Sequence, residues 1–163
     1  HMPEHEIYKS TYTVAKYYHV LNMLFASIGR NDFALEMLQR AASLADDDDD
    51  KEELYAEIFS DMCAYTNDQK RMLNFSQKAL AIYEDLQKNG KEYSQNSYAM
   101  ALHNAALIWA QQGGWKTALA HARKAYSIWS NLLLTTKDEQ IKSYVTESQR
   151  LVAFLEKKTT ESN

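Results

Sequence analysis

The stretch YAMALHNAALIWAQQGGWKTALAHARKAYSIW, from Tyr98 to Trp129, contains two segments of good helix formers separated by a break at Gly113. After the break, Ala118, Ala122 and Ala125 follow one another at steps of four and three residues, which places them on one face of a helix. Small side chains on one face let another helix approach closely. The stretch therefore predicts a helical hairpin whose two helices pack closely.

The segment before the break also combines large and small apolar residues. Leu102 and Trp109 are large, whereas Ala105 and Ala106 are small. With the alanines of the second segment, this pattern resembles the tetratricopeptide repeat, and Asn104 resembles an asparagine of the kinesin-light-chain subtype of that family. The resemblance implies an all-α fold, a right-handed superhelical α-solenoid of about three helical hairpins with a C-terminal capping helix.

Two further copies of the pattern precede this one. The first has Gly29 in its turn and the matching residues Tyr18, Leu21, Phe25, Ala34, Leu38 and Ala41, with Asn22 in place of a small residue. The middle copy has Asn67 in its turn, because asparagine tolerates the left-handed conformation that glycine otherwise supplies. Its other matching residues are Ala56, Phe59, Ser60, Cys63, Met72, Ser76 and Ala79.

Equivalent alanines set the length of the repeat. Ala41, Ala79 and Ala125 are separated by 38 and 46 residues, which exceeds the usual tetratricopeptide period of about 34 residues. The resemblance is therefore to the long-helix branch of the family, which includes kinesin light chain. The extra length is expected in the helix ends and in connectors such as residues 88–91.

These patterns predict a single repeat domain over residues 7–158. Its helices are predicted at 7–28, 31–45, 51–66, 69–88, 92–112, 115–134 and 137–158. They form repeats at about 7–46, 50–90 and 92–134, and the apolar stripe of a capping helix at 137–158 covers the third. Residues 159–163 are expected to fray. Residues 1–6 are expected to be a tail that starts with the cloning remnant His1-Met2, so the chain is expected to be an excised domain or a recombinant protein.

Composition and charge exclude several classes of protein. The chain is 45% hydrophobic and 25% charged, as ordinary soluble proteins are. It has no run of eighteen apolar residues and no signal peptide, which favours a cytoplasmic protein without a membrane span. A net charge of −4 argues against nucleic acid as the partner. Cys63 is the single cysteine, so no internal disulfide forms.

No motif for catalysis or metal binding is present. The sequence lacks a nucleophile elbow, a phosphate-binding loop and a paired-acid motif, and Cys63 falls at a core position. His19 and His103 are a whole repeat apart, and His121 falls on a second helix, so no pair has the spacing of a helical metal site. We predict no enzymatic activity, no metal and no cofactor.

The acidic run from Asp46 to Asp50 also has a structural interpretation. Calcium loops alternate their ligands around a central glycine, whereas an unbroken run of aspartates repels itself and is usually solvated. Asp50 and Glu53 have the spacing of a capping box. The run is therefore predicted to be a solvated loop and a helix cap.

The family resemblance implies a binding surface. In tetratricopeptide repeats the first helices of successive repeats line a concave groove, and the equivalent side chains here are Lys16, His19, Val20, Met23 and Ser27, then Leu54, Glu57, Ile58, Asp61 and Tyr65, then Met100, His103, Asn104, Leu107 and Gln111. A groove asparagine such as Asn104 can hold the main chain of an extended peptide, although an exposed or locally bonded role is the alternative. Val20 and Ile58 take the equivalent positions, so the asparagine ladder of kinesin light chains is missing from two copies.

The functional prediction is a protein-interaction module. The apolar groove residues favour an amphipathic helix or extended segment, and Glu57 and Asp61 favour basic character in that partner while disfavouring an acidic tail. One alternative is a structural protein that self-associates through its first or last helix. Another is a regulatory or sensor domain of a larger protein.

Overall fold

The computed structural model describes residues 4–162, with side chains from Thr11 to Ser162. This part of the chain is helical and contains no strand, which confirms the all-α class. Its helices are α1 (Glu4–Ser27), α2 (Asn31–Asp47), α3 (Glu53–Met62), α4 (Gln69–Lys88), α5 (Gln95–Gln111), α6 (Trp115–Thr136) and α7 (Glu139–Glu161), and a short 3-10 turn (Cys63–Tyr65) follows α3. The chain divides into two compact units, a first that ends at Lys91 and a second that begins at Glu92.

The first unit consists of two helical hairpins. Helix α1 packs on α2, α3 packs on α4, and α2 also contacts α3. Ala34, Leu38 and Ala41 are fully buried on α2, and Ala79 is buried on α4. These are the small and apolar positions that the repeat pattern predicted to pack, and their short side chains allow the helices to lie close together.

The turns of the two hairpins differ. Gly29 has a φ of 78°, a left-handed conformation that glycine adopts without steric cost, as predicted. The prediction that Asn67 supplies the equivalent conformation is wrong, because Lys137 is the one non-glycine residue with positive φ in the described chain. Helix α3 instead ends at Met62, and the 3-10 turn leads into extended backbone at Thr66. The turn therefore needs no left-handed residue.

Asp68 then starts α4. Its Oδ1 accepts hydrogen bonds from the backbone N–H groups of Lys70 and Arg71 at 2.9 and 3.2 Å. Such an N-terminal cap satisfies two donors that have no partner within the helix.

The acidic run is only partly solvated, which corrects the sequence interpretation. Asp48 is 3% exposed, and its carboxylate accepts hydrogen bonds from the Tyr55 hydroxyl at 2.5 Å and from the Asp50 backbone N–H at 3.0 Å. Burial, followed by the bond to Asp48, raises the pKa of Tyr55 far above its usual range. The prediction that Asp50 and Glu53 form a capping box is also wrong. The residue before α3 is Glu52, and no side chain caps that helix. The loop is held by Asp48 instead.

The flanking aspartates of the run form surface ion pairs. Asp46 accepts from Lys78 Nζ at 2.9 Å, and Asp50 accepts from Lys91 Nζ at 2.5 Å. Lys78 lies on α4 and Lys91 follows it, so the end of α2 and the loop after it are attached to the second hairpin of the first unit.

The second unit packs α5 against α6 and α6 against α7. Its core includes Ala106, Ala118, Ala122 and Leu155, all fully buried. The predicted apolar stripe of the last helix is its buried face, where Ile141 and Ser148 join Leu155. Helix α7 therefore packs on α6 through this face.

Trp129 occupies the centre of the second unit. It is 1% exposed, and its indole N–H donates to Asn96 Oδ1 at 2.8 Å. Its ring lies 5.5 Å from the ring of His103 on α5 and stacks at 5.0 Å on Tyr144 of α7. Trp129 thus joins all three helices of this unit.

Both chain ends are more helical than predicted. Helix α1 begins at Glu4 instead of residue 7, and α7 continues to Glu161. Thr159 and Thr160, which were predicted to belong to a frayed tail, are helical, and their hydroxyls donate to backbone carbonyls one turn earlier. The predicted cloning remnant His1-Met2 lies outside the described residues, as do residue 3 and the last residue, 163. Within residues 4–162, none of the helices is long and apolar enough to cross a bilayer.

Candidate partner-binding groove

Polar side chains connect α1 to α3 across the first unit. His19 Nε2 lies 2.9 Å from Asp61 Oδ2, and the His19 side chain is buried while that of Asp61 is 47% exposed. One helical turn further along α1, Asn22 is 4% exposed and donates to the Tyr65 hydroxyl at 3.2 Å and to the Ala34 carbonyl at 2.7 Å. These bonds fix the positions of α1, α3 and the 3-10 turn relative to one another.

An open groove lies beside these bonds. It has a volume of about 490 Å³. Its lining consists of Asn22, Met23, Ala26, Ser27, Asp61, Ala64 and Tyr65. Met23 is 50% exposed, and Ala26 and Ala64 are exposed as well, so apolar surface is available to a ligand. Methionine fills irregular spaces well, which suits a surface that accommodates a partner side chain.

A row of acids approaches the groove along α3. Glu53, Glu57 and Asp61 follow at intervals of four residues, so their side chains lie on one face of the helix. The pKa of Glu57 is raised first by burial and then by the charges of Glu53 and Asp61, against the opposing influence of His19. Burial, and then Glu52 and Glu57, also raises the pKa of Tyr12 on α1.

Glu57 and Asp61 retain negative potential. Within the described part of the chain, no salt bridge involves Glu57, and Asp61 is paired with a histidine instead of a lysine or arginine. Like charges at four-residue spacing destabilise a helix by about 0.2–0.5 kcal/mol per pair. The row is therefore unfavourable for α3 itself, and Glu57 and Asp61 are complementary to a basic ligand.

The structure brings together several of the predicted groove residues. Met23, Asp61 and Tyr65 line the groove, and His19 is hydrogen-bonded to Asp61. Lys16 and Val20 are exposed on α1 without lining it. Glu57 belongs to the acidic row.

The structure contradicts the prediction that Ile58 lines the groove. It is fully buried, so the prediction that its side chain offers apolar surface to a partner is wrong. Phe59, the next residue, is 2% exposed, and both side chains belong to the core of the first unit. Helix α3 therefore buries a wider face than the tetratricopeptide pattern predicts.

The remaining predicted residues lie on α5 of the second unit. Asn104 and Gln111 are exposed, and Leu107 is 42% exposed. His103 is half-buried against Trp129, and its Nδ1 is buried without a hydrogen-bond partner among the described residues. Burial lowers the pKa of His103, with Glu147 opposing the shift. The exposed residues form a polar face with one leucine, and His103 contributes to packing.

Sequence reasoning missed three residues that line the groove. Asn22 was identified only as an exception to the repeat pattern, and Ala26 and Ala64 were not assigned any role. The exception was itself the signal, because a polar residue at a packing position needs hydrogen-bond partners. The partners of Asn22 connect α1 to α2 and to the end of α3.

The described residues contain no group of three or more His, Cys, Asp and Glu side chains arranged to hold a metal ion. Burial raises the pKa of the Cys63 thiol to about 11, which favours the unreactive protonated form. No protein-family model matches the sequence, and no curated protein matches it either.

Proposed function

We propose that this protein is an interaction module that binds a basic, partly apolar peptide or helix in the groove between α1 and α3. The observation that carries the proposal is an open groove with apolar lining that Asp61 borders, with Glu57 one turn before Asp61 on the same face of α3. A ligand cation near these acids gains favourable electrostatic energy, and its apolar side chains cover Met23.

The shape of the groove favours a polypeptide as the ligand. The groove is open to solvent, whereas sites for small molecules enclose most of the ligand surface. A peptide can place one or two side chains in the groove and continue beyond it. A helix that presents a lysine or arginine and a leucine one turn apart has this arrangement.

The same proposal includes the family architecture. The buried small residues Ala41, Ala79 and Ala125, and the helical hairpins that carry them, support a tetratricopeptide-like α-solenoid. In this arrangement α1, α3 and α5 are the first helices of successive hairpins. We propose a scaffold or adaptor role in the cytoplasm, with no cofactor.

Peptide binding to charge-reversed variants tests the proposal. We would measure fluorescence anisotropy of two labelled peptides, one of lysine and leucine and the other of glutamate and leucine in the same order. The wild-type protein is expected to bind the lysine peptide more tightly. Glu57→Lys should weaken that binding by about tenfold, which corresponds to 1.4 kcal/mol, and should reduce the preference for the lysine peptide.

The matched control is Glu84→Lys. Glu84 is an exposed acid on α4, so this substitution changes the net charge of the protein by the same amount. If Glu84→Lys weakens binding as much as Glu57→Lys, overall charge accounts for the interaction and the groove is rejected. Equal affinity of the wild type for both peptides rejects it as well.

A further inference from the structure

A second surface of α1 carries apolar side chains in the spacing of a coiled coil. Val14, Tyr17, Leu21, Leu24 and Ile28 follow at alternating steps of three and four residues. Repeats of this kind keep one seam of a helix facing a partner helix. We call these five residues the α1 seam. Ile28 is the residue that directly follows the helix.

The α1 seam is exposed in the structure. Tyr17, Leu24 and Ile28 are 60, 58 and 69% exposed, Val14 is 40% exposed, and Leu21 is half-buried. Exposed apolar side chains that occur singly need no explanation, but a continuous row marks an interaction surface.

The seam is distinct from the groove and from the packing face of α1. Ala15, His19 and Asn22 are buried on the side of α1 that faces the rest of the unit. The groove uses Met23 and Ala26, which the helical period places on the opposite side of α1 from the seam. None of the five seam residues lines the groove.

The residues beside the seam indicate which helix covers it. A coiled-coil helix that pairs with a helix of another protein selects it mainly through charged residues next to the apolar seam. These residues attract opposite charges and repel like ones. Here the flanking positions are Tyr18, Val20, Phe25 and Ser27, all uncharged. Two copies of this helix can therefore approach without repulsion, and nothing at these positions favours a charged foreign helix.

The available area sets the strength of such a contact. From Val14 to Ile28 the helix rises about 21 Å. At the observed exposures, the five side chains offer roughly 400 Å² per copy, about half of the 800 Å² per partner of a standard stable interface. The contact is therefore sufficient for a reversible, concentration-dependent dimer and too small for a permanent one.

We propose that the α1 seam binds the α1 seam of a second copy of this chain, which makes the protein a weak symmetric dimer. A symmetric dimer uses the same patch on both subunits, so each seam residue packs against seam residues of the other copy.

Sedimentation velocity over a series of protein concentrations tests this proposal. The weight-average mass of the wild type should rise from 18.8 kDa towards twice that value as concentration increases. Leu24→Glu, which places a charge on the seam of each copy, should remain monomeric over the same series. Tyr17→Lys provides a second variant, and far-UV circular dichroism verifies that both variants keep the helical fold.

Leu134→Glu is the matched control. Leu134 is 80% exposed at the end of α6, so the substitution removes a leucine of greater exposure elsewhere on the chain. It should leave the association unchanged. The proposal is overturned if the wild type stays monomeric at the highest concentration, in which case something other than a second copy covers the seam. It is also overturned if folded Leu24→Glu and Tyr17→Lys proteins associate as the wild type does, or if Leu134→Glu reduces association equally.

Discussion

His19 Nε2 on α1 lies 2.9 Å from Asp61 Oδ2 on α3, and this pair connects the two helices that border the groove. The histidine is 6% exposed, so few water molecules compete for the bond. The same contact holds Asp61 at the edge of the groove, where its second carboxylate oxygen is available to a ligand. The pair therefore contributes both to the stability of the first unit and to the placement of an acidic group.

Removing the histidine should destabilise the first unit. His19→Ala is expected to lower the free energy of unfolding by about 1–2 kcal/mol, because it deletes a hydrogen bond and leaves a small buried cavity. Urea denaturation monitored by far-UV circular dichroism measures the change. The exposed pair Arg40–Glu36 serves as the control, and Arg40→Ala should cost less than about 0.5 kcal/mol. An effect of His19→Ala no larger than that of the control would contradict the structural role of the pair.

Asn22→Ala distinguishes the hydrogen-bonded structure from the plain repeat pattern. The family pattern has a small residue at this position, so on that basis alanine should be neutral or stabilising. The bonds from Asn22 to the Ala34 carbonyl and the Tyr65 hydroxyl predict instead a loss of about 1–2 kcal/mol. Thermal and urea unfolding measure the difference. A variant as stable as the wild type would show that these bonds contribute nothing.

Tyr55→Phe should show the importance of the buried aspartate. The hydroxyl of Tyr55 is a principal partner of the Asp48 carboxylate, and hydrogen bonds to charged groups contribute about 1.5–3 kcal/mol. We expect a loss of stability in that range. Tyr17→Phe, at a tyrosine that is 60% exposed, is the matched control and should change the free energy of unfolding by less than about 0.5 kcal/mol. Equal effects of the two substitutions would refute the account of Asp48.

The second unit should lose stability in weakly acidic solution because of His103. Burial lowers the pKa of His103 below its ordinary value of 6.5, so the unfolded chain binds this proton more readily than the folded one. The stability that comes from keeping His103 neutral is complete above the pKa that this histidine has in the unfolded chain. It decreases as the pH falls through about 6.5 towards the lower folded pKa.

Tryptophan fluorescence is suited to this measurement, because Trp109, Trp115 and Trp129 are the three tryptophans of the chain and all lie in the second unit. We would compare urea unfolding at about pH 7.5 and about pH 5.5, on either side of the ordinary histidine pKa. The loss between the two conditions should be smaller in His103→Phe, which keeps an aromatic ring against Trp129. The same loss in both proteins would assign the pH dependence to other groups.

The helices were predictable because their signals are local. Helix α4 begins at Gln69 and ends at Lys88 as predicted, and the left-handed glycines Gly29 and Gly113 mark turns that the sequence shows directly. The small residues that pack between helices were also identifiable, since their spacing follows one helical face. Local propensity and packing agree at these positions.

The failures depend on tertiary structure. Nothing in five consecutive aspartates distinguishes Asp48, which bonds to the hydroxyl of Tyr55 only after the chain has turned into α3. Ile58 was assigned to the surface from the family pattern, but helix α3 contacts both α2 and α4 and buries it. The polar contacts across α1 and α3 join residues more than 40 positions apart, and no spacing rule predicts them.

Chemical-shift mapping with the lysine–leucine peptide tests the central proposal most directly. In isotope-labelled protein, addition of the peptide should shift the backbone amide signals of Met23, Asp61, Ala64 and Tyr65 more than those of α7, and Glu57→Lys should reduce these shifts. Unchanged groove signals in the presence of peptide, or larger changes on α7 than at these four residues, would contradict the assignment of the α1–α3 groove as the binding site.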